Sequence, residues 1–345
     1  MKRIENGLLM GLTAFVALSW AGAAQSQSVE EFYKGKAVNL VVSAPAGTLS
    51  DALARQFGEY FAKHLPGQPD IVVMNVPGAG GMVAAAKLQK NQPRDGTVIG
   101  FQQRNNLYRP LVDGEHEKFD PREVNWIGSL NKVYYTIVAM NTAAVQTAED
   151  MFKKPLILGA TGYANENRTL PAMMNKYLGT KFDIVHGYSG RKDVYLAMER
   201  GEVEGWLPTV AGLLRGTPAQ QIKEGKLKVL MQMGWKNHPA FPDVPNFSNY
   251  VKDPKVKAMI DFFTMPFEAG RPLAVPKGVP EDRLAALRDA FEATMKDPEF
   301  IALMDKRNSP IDPISGKEIE DIIHALYATP EDVLANVREI LKPKS

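Results

Sequence analysis

The chain has 345 residues, enough for two domains of ordinary size, and its 45% hydrophobic and 23% charged content is that of a soluble globular protein. A formal net charge of +2, from 41 Lys and Arg against 39 Asp and Glu, argues against a nucleic-acid footprint, which needs a concentrated basic face. There is no cysteine, which excludes disulfides and cysteine nucleophiles and leaves stability to the hydrophobic core.

The first segment, residues 1–26, reads as a cleaved secretory signal. Lys2 and Arg3 form a basic start, residues 8–20 are mostly apolar, and Ala21, Gly22, Ala23 and Ala24 supply the small residues a signal peptidase requires. The apolar run is shorter than the ~20 residues a membrane span needs, and cleavage is expected between Ala23 and Ser26. With no cysteine for a lipid anchor, the product should diffuse in a Gram-negative periplasm.

Residues 37–44 (AVNLVVSA) form a continuous apolar run, as in a strand buried on both faces. A turn at 45–50 follows, and an amphipathic helix then opens at Asp51, with Leu53, Phe57 and Phe61 on one face. The unit repeats: strand 71–76, loop 77–81, helix 82–90, strand 97–101. A second alternation runs from 135 to 233, with strands at 135–140, 156–160, 183–186, 205–207 and 227–233 and helices from 169 to 178 and 191 to 200. Such alternation predicts parallel sheets with helices on both faces. Residues 239–245 are Pro-rich and irregular, and three helices follow at 281–296, 298–306 and 316–326. Pro280 and Pro330, each followed by Glu-Asp, read as helix first turns.

Two loops carry the candidate chemistry. Each follows a buried strand and opens a helix: Ala46, Gly47, Thr48, Ser50 and Asp51 in the first, Thr161, Gly162 and Asn165 in the second. Ligands of open α/β sheets bind beyond the carboxyl ends of the strands, where helix N-termini offer free N–H groups to an anion. The alternative is that these are ordinary turns, with Ser50 or Asp51 simply capping a helix. Arg104, just past another strand end, is placed to grip a carboxylate with its forked guanidinium, or else lies on the surface. Arg168 opens the helix after the second loop, and Tyr188 and Trp206 follow or end strands, where each either walls a pocket or packs in the core. The five histidines, His64, His116, His186, His238 and His324, have no metal-ligand spacing. The segment 78–83 approaches the dinucleotide fingerprint, but Val83 stands where its third glycine belongs. No nucleophile elbow is present. No metal or other cofactor is expected.

The ordered set of short motifs resembles the substrate-binding receptors of tripartite tricarboxylate transporters, the Bug-type receptors. The pieces are residues 33–36 (YKGK), the Pro-x-Gly-x-x-Ser-Asp loop at 45–51, residues 76–81 (VPGAGG) with Gly80, Asp95-Gly96-Thr97, His186-x-Tyr188-x-Gly190, Gly201-Glu202-Val203, residues 238–245 (HPAFPDVP) and the segment 276–280 with its helix. The resemblance spans about residues 30–330. It implies a type II periplasmic-binding-protein fold of the α/β class, with two doubly wound lobes joined by two crossing strands. Lobe I would take 28–134 plus 232–345 and lobe II 135–231, with crossings near 133–138 and 229–234. It also implies a monomeric binding receptor without catalysis, which captures a small carboxylate between the lobes and passes it to the permease subunits of a membrane transporter. The chain departs from the family at Thr48, where a second glycine is frequent, at Ala160 and Thr161, where serines are, and at 102–106, where Gln102, Gln103, Arg104, Asn105 and Asn106 replace smaller residues. Two other readings fit the same lobes. One is a periplasmic enzyme acting on a small organic acid, with Asp51 or His186 as its candidate base. The other is a ligand sensor that docks on a signalling protein.

Overall fold

In a computed structural model the chain is described over residues 27–341, apart from 115–117, 163–164, 235 and 308. The expected signal and its cleavage site, His116, and the middle of the second loop lie outside the described residues.

Eleven strands form two sheets among these residues: β1 (Ala37–Val42), β2 (Asp70–Asn75), β3 (Val98–Phe101), β4 (Val124–Ser129), β5 (Tyr135–Met140), β6 (Leu156–Ala160), β7 (Phe182–His186), β8 (Gly205–Trp206), β9 (Leu227–Met233), β10 (Pro272–Pro276) and β11 (Ile314–Ser315). The first sheet runs β11-β4-β10-β3-β1-β2 and the second β7-β6-β8-β5-β9. Each has a parallel trio, β2-β1-β3 and β7-β6-β8, built by strand–loop–helix units. The expected parallel pairing holds in these trios and not around them: β10 lies antiparallel to both β3 and β4, and β5 antiparallel to both β8 and β9.

β1 shows why its sequence is a continuous apolar run. Val38, Leu40 and Val42 enter one buried cluster and Val41 the other, because successive side chains point to opposite faces. On one face, helix Leu49–His64 brings Leu53, Phe57 and Phe61 against helix Glu281–Lys296, where the Phe57 and Phe291 rings lie 6.1 Å apart. Each such fully buried aromatic contributes about 1.5–3 kcal/mol. β4 and β10 gave little sequence signal. Proline stands at both ends of β10, a residue that normally argues against a strand. Helix Pro254–Thr264 was likewise unread; it starts with proline in the first turn, capped by the Asp253 carboxylate.

The chain leaves the first sheet after Ser129 and enters the second at Tyr135. It returns after Met233, and β5 and β9 run side by side in antiparallel register, Tyr135 opposite Met233. A single buried cluster extends through both halves, from Val124 and Trp126 to Ile137, Leu158, Met173 and Met231. The last helix, Glu331–Leu341, adds Val337 and Ile340 to it and lies against helix Glu166–Leu178. There Lys176 pairs with Glu339 at 2.9 Å. Among the described residues no helix is long and apolar enough to cross a membrane.

Candidate functional site

The first loop is held by its own side chains. Thr48 caps the helix, accepting from the Asp51 amide, and its hydroxyl donates to the Pro45 carbonyl at 2.8 Å. The Asp51 carboxylate accepts from the Gly47 amide at 2.8 Å and from Arg55 and Asn75 at 3.0 Å each. The Gly47 bond, followed by those to Arg55 and Asn75, holds the Asp51 carboxyl below the usual carboxylate range against the opposing effect of burial. Gly47 has φ of +78°, a conformation that favours glycine. The Gly47 and Asp51 amides and the Thr48 hydroxyl are therefore engaged in shaping the turn. Ser43, Ala44 and Pro45 face a cleft of about 730 Å³, together with Gly78, Gly80, Gly81, Gln103 and Asn165. Gly80 is held there by Asn105, which donates to its carbonyl at 3.0 Å, and Gln103 reaches the Ser43 carbonyl at 3.3 Å.

The second loop is knotted in the same way. Asn165 and Asn167 both donate to the Thr161 hydroxyl, at 2.8 and 2.9 Å, and Asn165 takes the N-cap of helix Glu166–Leu178. The first residue of that helix, Glu166, meets Arg104 from the opposite sheet. The Arg104 guanidinium donates to Glu166 Oε1 and to the Tyr135 hydroxyl, both at 2.5 Å. Burial would lower the Arg104 pKa, but Glu166 and the phenols of Tyr135 and Tyr108 more than offset it, so the guanidinium stays charged. Burial raises both phenols well above their ordinary value.

Arg104 also lines a second cavity of about 530 Å³, bounded by the crossing segment 131–134, by Thr209, Val210 and Leu214 of the second half, and by Arg271. Arg271 stands just before β10. Its amide donates to Ser129 Oγ at 2.9 Å and its Nη1 to the Gly270 carbonyl at 2.6 Å. Burial first, and the neighbouring Arg104 second, push it down to about 10, so it is still a cation at neutral pH. No carboxylate pairs with Arg271 among the described residues. Three residues of this wall each hold a polar atom that is sealed from solvent and has no hydrogen-bond partner in the protein: Arg104 Nε, Arg271 Nε and Asn131 Oδ1. The charge of Arg271 on this wall is the kind that a carboxylate offsets.

The family model described as "Tripartite tricarboxylate transporter family receptor" matches residues 53–324. The chain belongs to this family. Its similarity to a "UPF0065 protein in gbd 5'region" of Cupriavidus necator is 26% identity over 297 residues, 84% of each chain. Among solved structures, a solute-binding protein from Polaromonas superposes with a TM-score of 0.69 at 22% identity, covering 90% of this chain and 99% of the other. A Rhodopseudomonas palustris protein with adipate gives 0.61 at 16%, covering 88% and 97%. MatC of that organism, with bound malate, gives 0.58 at 16%, covering 89% and 99%. At these identities the structures speak for the fold, the two-lobed α/β fold of periplasmic binding proteins. Family and fold are those of substrate-binding proteins.

Of the expected site residues, Gly80, Gln103, Arg104 and Asn165 line one or both of these cavities, whereas Ala46, Gly47, Thr48, Ser50, Asp51, Thr161 and Gly162 line neither. Trp206 is buried on β8 and borders a smaller pocket with Arg191 and Tyr135. Tyr188 packs on the cluster beneath β6. Arg168 reaches the Ile340 carbonyl at 3.4 Å, because two residues along a helix from Glu166 is nearly the opposite face. His186 lines neither cavity, and among the described residues no group of three or more His, Asp or Glu could hold a metal ion. Sequence reasoning missed Arg271, Glu166, Tyr135 and Asn131.

Proposed function

We propose that the chain is an exported receptor that closes on a carboxylate-bearing solute between its lobes and delivers it to the permease of a tripartite transporter, without transforming it. The lobes are 28–134 plus 232–345 and 135–231, a division that sheet membership supports. One observation carries the reading: Arg104 and Arg271 share a cavity wall, and only Arg104 has a carboxylate partner. A bound carboxylate would supply the missing charge beside Arg271. The adipate and malate held by the R. palustris proteins support a carboxylate as ligand. Arg104 and its bond to Glu166 join the two lobes, which supports hinge closure over the solute.

Titration calorimetry of the purified protein tests this, with carboxylates set against their neutral amides. Binding of the acids alone, lost in Arg271→Gln, is the expected result. Equal binding of acid and amide, or turnover of either, would sink it.

A further inference from the structure

The walls of the 530 Å³ cavity carry information beyond one anionic contact. Leu49, Leu53, Val133 and Ile311 come from one half and Val210 and Leu214 from the other, so an apolar surface closes from both sides. Leu49 is 42% exposed, one of the few large hydrophobic side chains so placed. The third cation on the wall, Lys132, is already shared between Asp312 at 3.3 Å and Glu268 at 3.6 Å. Arg215, near the rim, donates to Ser309. His238 Nδ1 accepts from the Ala240 amide, which fits a neutral ring. Among the residues that line the cavity, Arg271 is the cation without a carboxylate partner, and the lining carboxylate, Asp312, stands against a second acid group.

We infer that the solute is a monocarboxylate with an apolar body, an aromatic or medium-chain aliphatic acid, rather than a short di- or tricarboxylate. This rests on the carboxylate reading above and narrows it. The head group pairs with the Arg271 guanidinium beside Arg104. The body lies among the leucines and valines of both lobes, where each methylene removed from water tightens binding about fourfold. A cavity of this size falls within the range of organic-ligand pockets and is larger than a four-carbon acid fills.

The test is calorimetric titration of the purified protein with butyrate, hexanoate, octanoate and phenylacetate, with succinate and citrate as polyacids and with octanamide as the uncharged control. Affinity should rise at least threefold per added methylene from butyrate to octanoate. Succinate, which matches butyrate in length, should bind at least tenfold more weakly than butyrate, and Leu49→Asn should flatten the chain-length dependence. Succinate or citrate binding more tightly than butyrate, or affinity independent of chain length, overturns the inference while the carboxylate reading stands. Octanamide binding as tightly as octanoate overturns that reading as well.

Discussion

Arg104 and Arg271 stand on one cavity wall in opposite circumstances: Arg104 is tied to Glu166 at 2.5 Å, and Arg271 has no carboxylate partner among the described residues. The protein thus holds a partly buried guanidinium at some expense to its own stability. Arg271→Leu should accordingly raise the stability of the unliganded protein, by about 1–3 kcal/mol, the usual cost of an uncompensated buried polar group. The same variant should lose carboxylate binding at least tenfold. Thermal denaturation and calorimetric titration of one preparation check both halves, and a drop in stability together with intact binding would contradict the assignment.

The proposed site gives Arg104 two roles, one toward the solute and one in the contact between lobes. Arg104→Ala should weaken carboxylate binding at least tenfold and leave Glu166 without its cation. Adding Glu166→Gln should then recover part of the lost stability but none of the affinity. A double-mutant cycle in both readouts separates the two roles, because residues in direct contact couple by 0.5–3 kcal/mol.

The first loop is predicted to matter through its shape. Asp51→Ala removes the acceptor of the Gly47 amide, of Arg55 and of Asn75, and should cost about 1–3 kcal/mol. Because the folded carboxyl lies below its ordinary value of 3.8, its contribution is present above that pH and disappears as pH falls through the lowered value. Denaturation midpoints at pH 3 and 6 should therefore differ less in the variant than in the parent.

His238 predicts a second pH dependence. Burial lowers its pKa from the ordinary 6.5, with Asp312 opposing. Unfolding then takes up a proton, so its share of stability is full above 6.5 and declines as pH drops from there toward the lowered value. Glu268, raised from 4.5 by burial, acts in the reverse sense, its share falling as pH rises above 4.5. The difference between parent and His238→Gln isolates the histidine, and it should be larger at pH 7.5 than at pH 5.

Arg168 provides the contrasting case. It contacts the Ile340 carbonyl and lines neither cavity. Arg168→Ala should leave carboxylate affinity within twofold of the parent, and a tenfold loss in titration would return it to the site.

The parallel trios were legible because a strand buried on both faces reads as an unbroken apolar run, as β1 does. Arg104 was legible because it follows the carboxyl end of β3, where ligands of parallel sheets bind. Arg271 and Tyr135 were not, for one shared reason. Each stands at the start of an antiparallel strand, β10 and β5, and antiparallel direction brings a strand's beginning beside its neighbours' carboxyl ends. Pro272 accepts from the Gln102 amide just past β3, and Tyr135 bridges to Thr209 just past β8. A search confined to residues after strands passes over such positions. Glu166 was hidden differently: a helix expected from 169 leaves it in the loop before, and only tertiary packing shows that it opens the helix and faces Arg104.

The buried cluster that runs from Trp126 through Ile137 to Met231 has a calorimetric consequence. Lobes with separate cores could melt as separate units. A shared core instead links their melting, so the protein should give one endotherm whose calorimetric and van't Hoff enthalpies agree. A saturating solute should move that whole endotherm upward rather than split it.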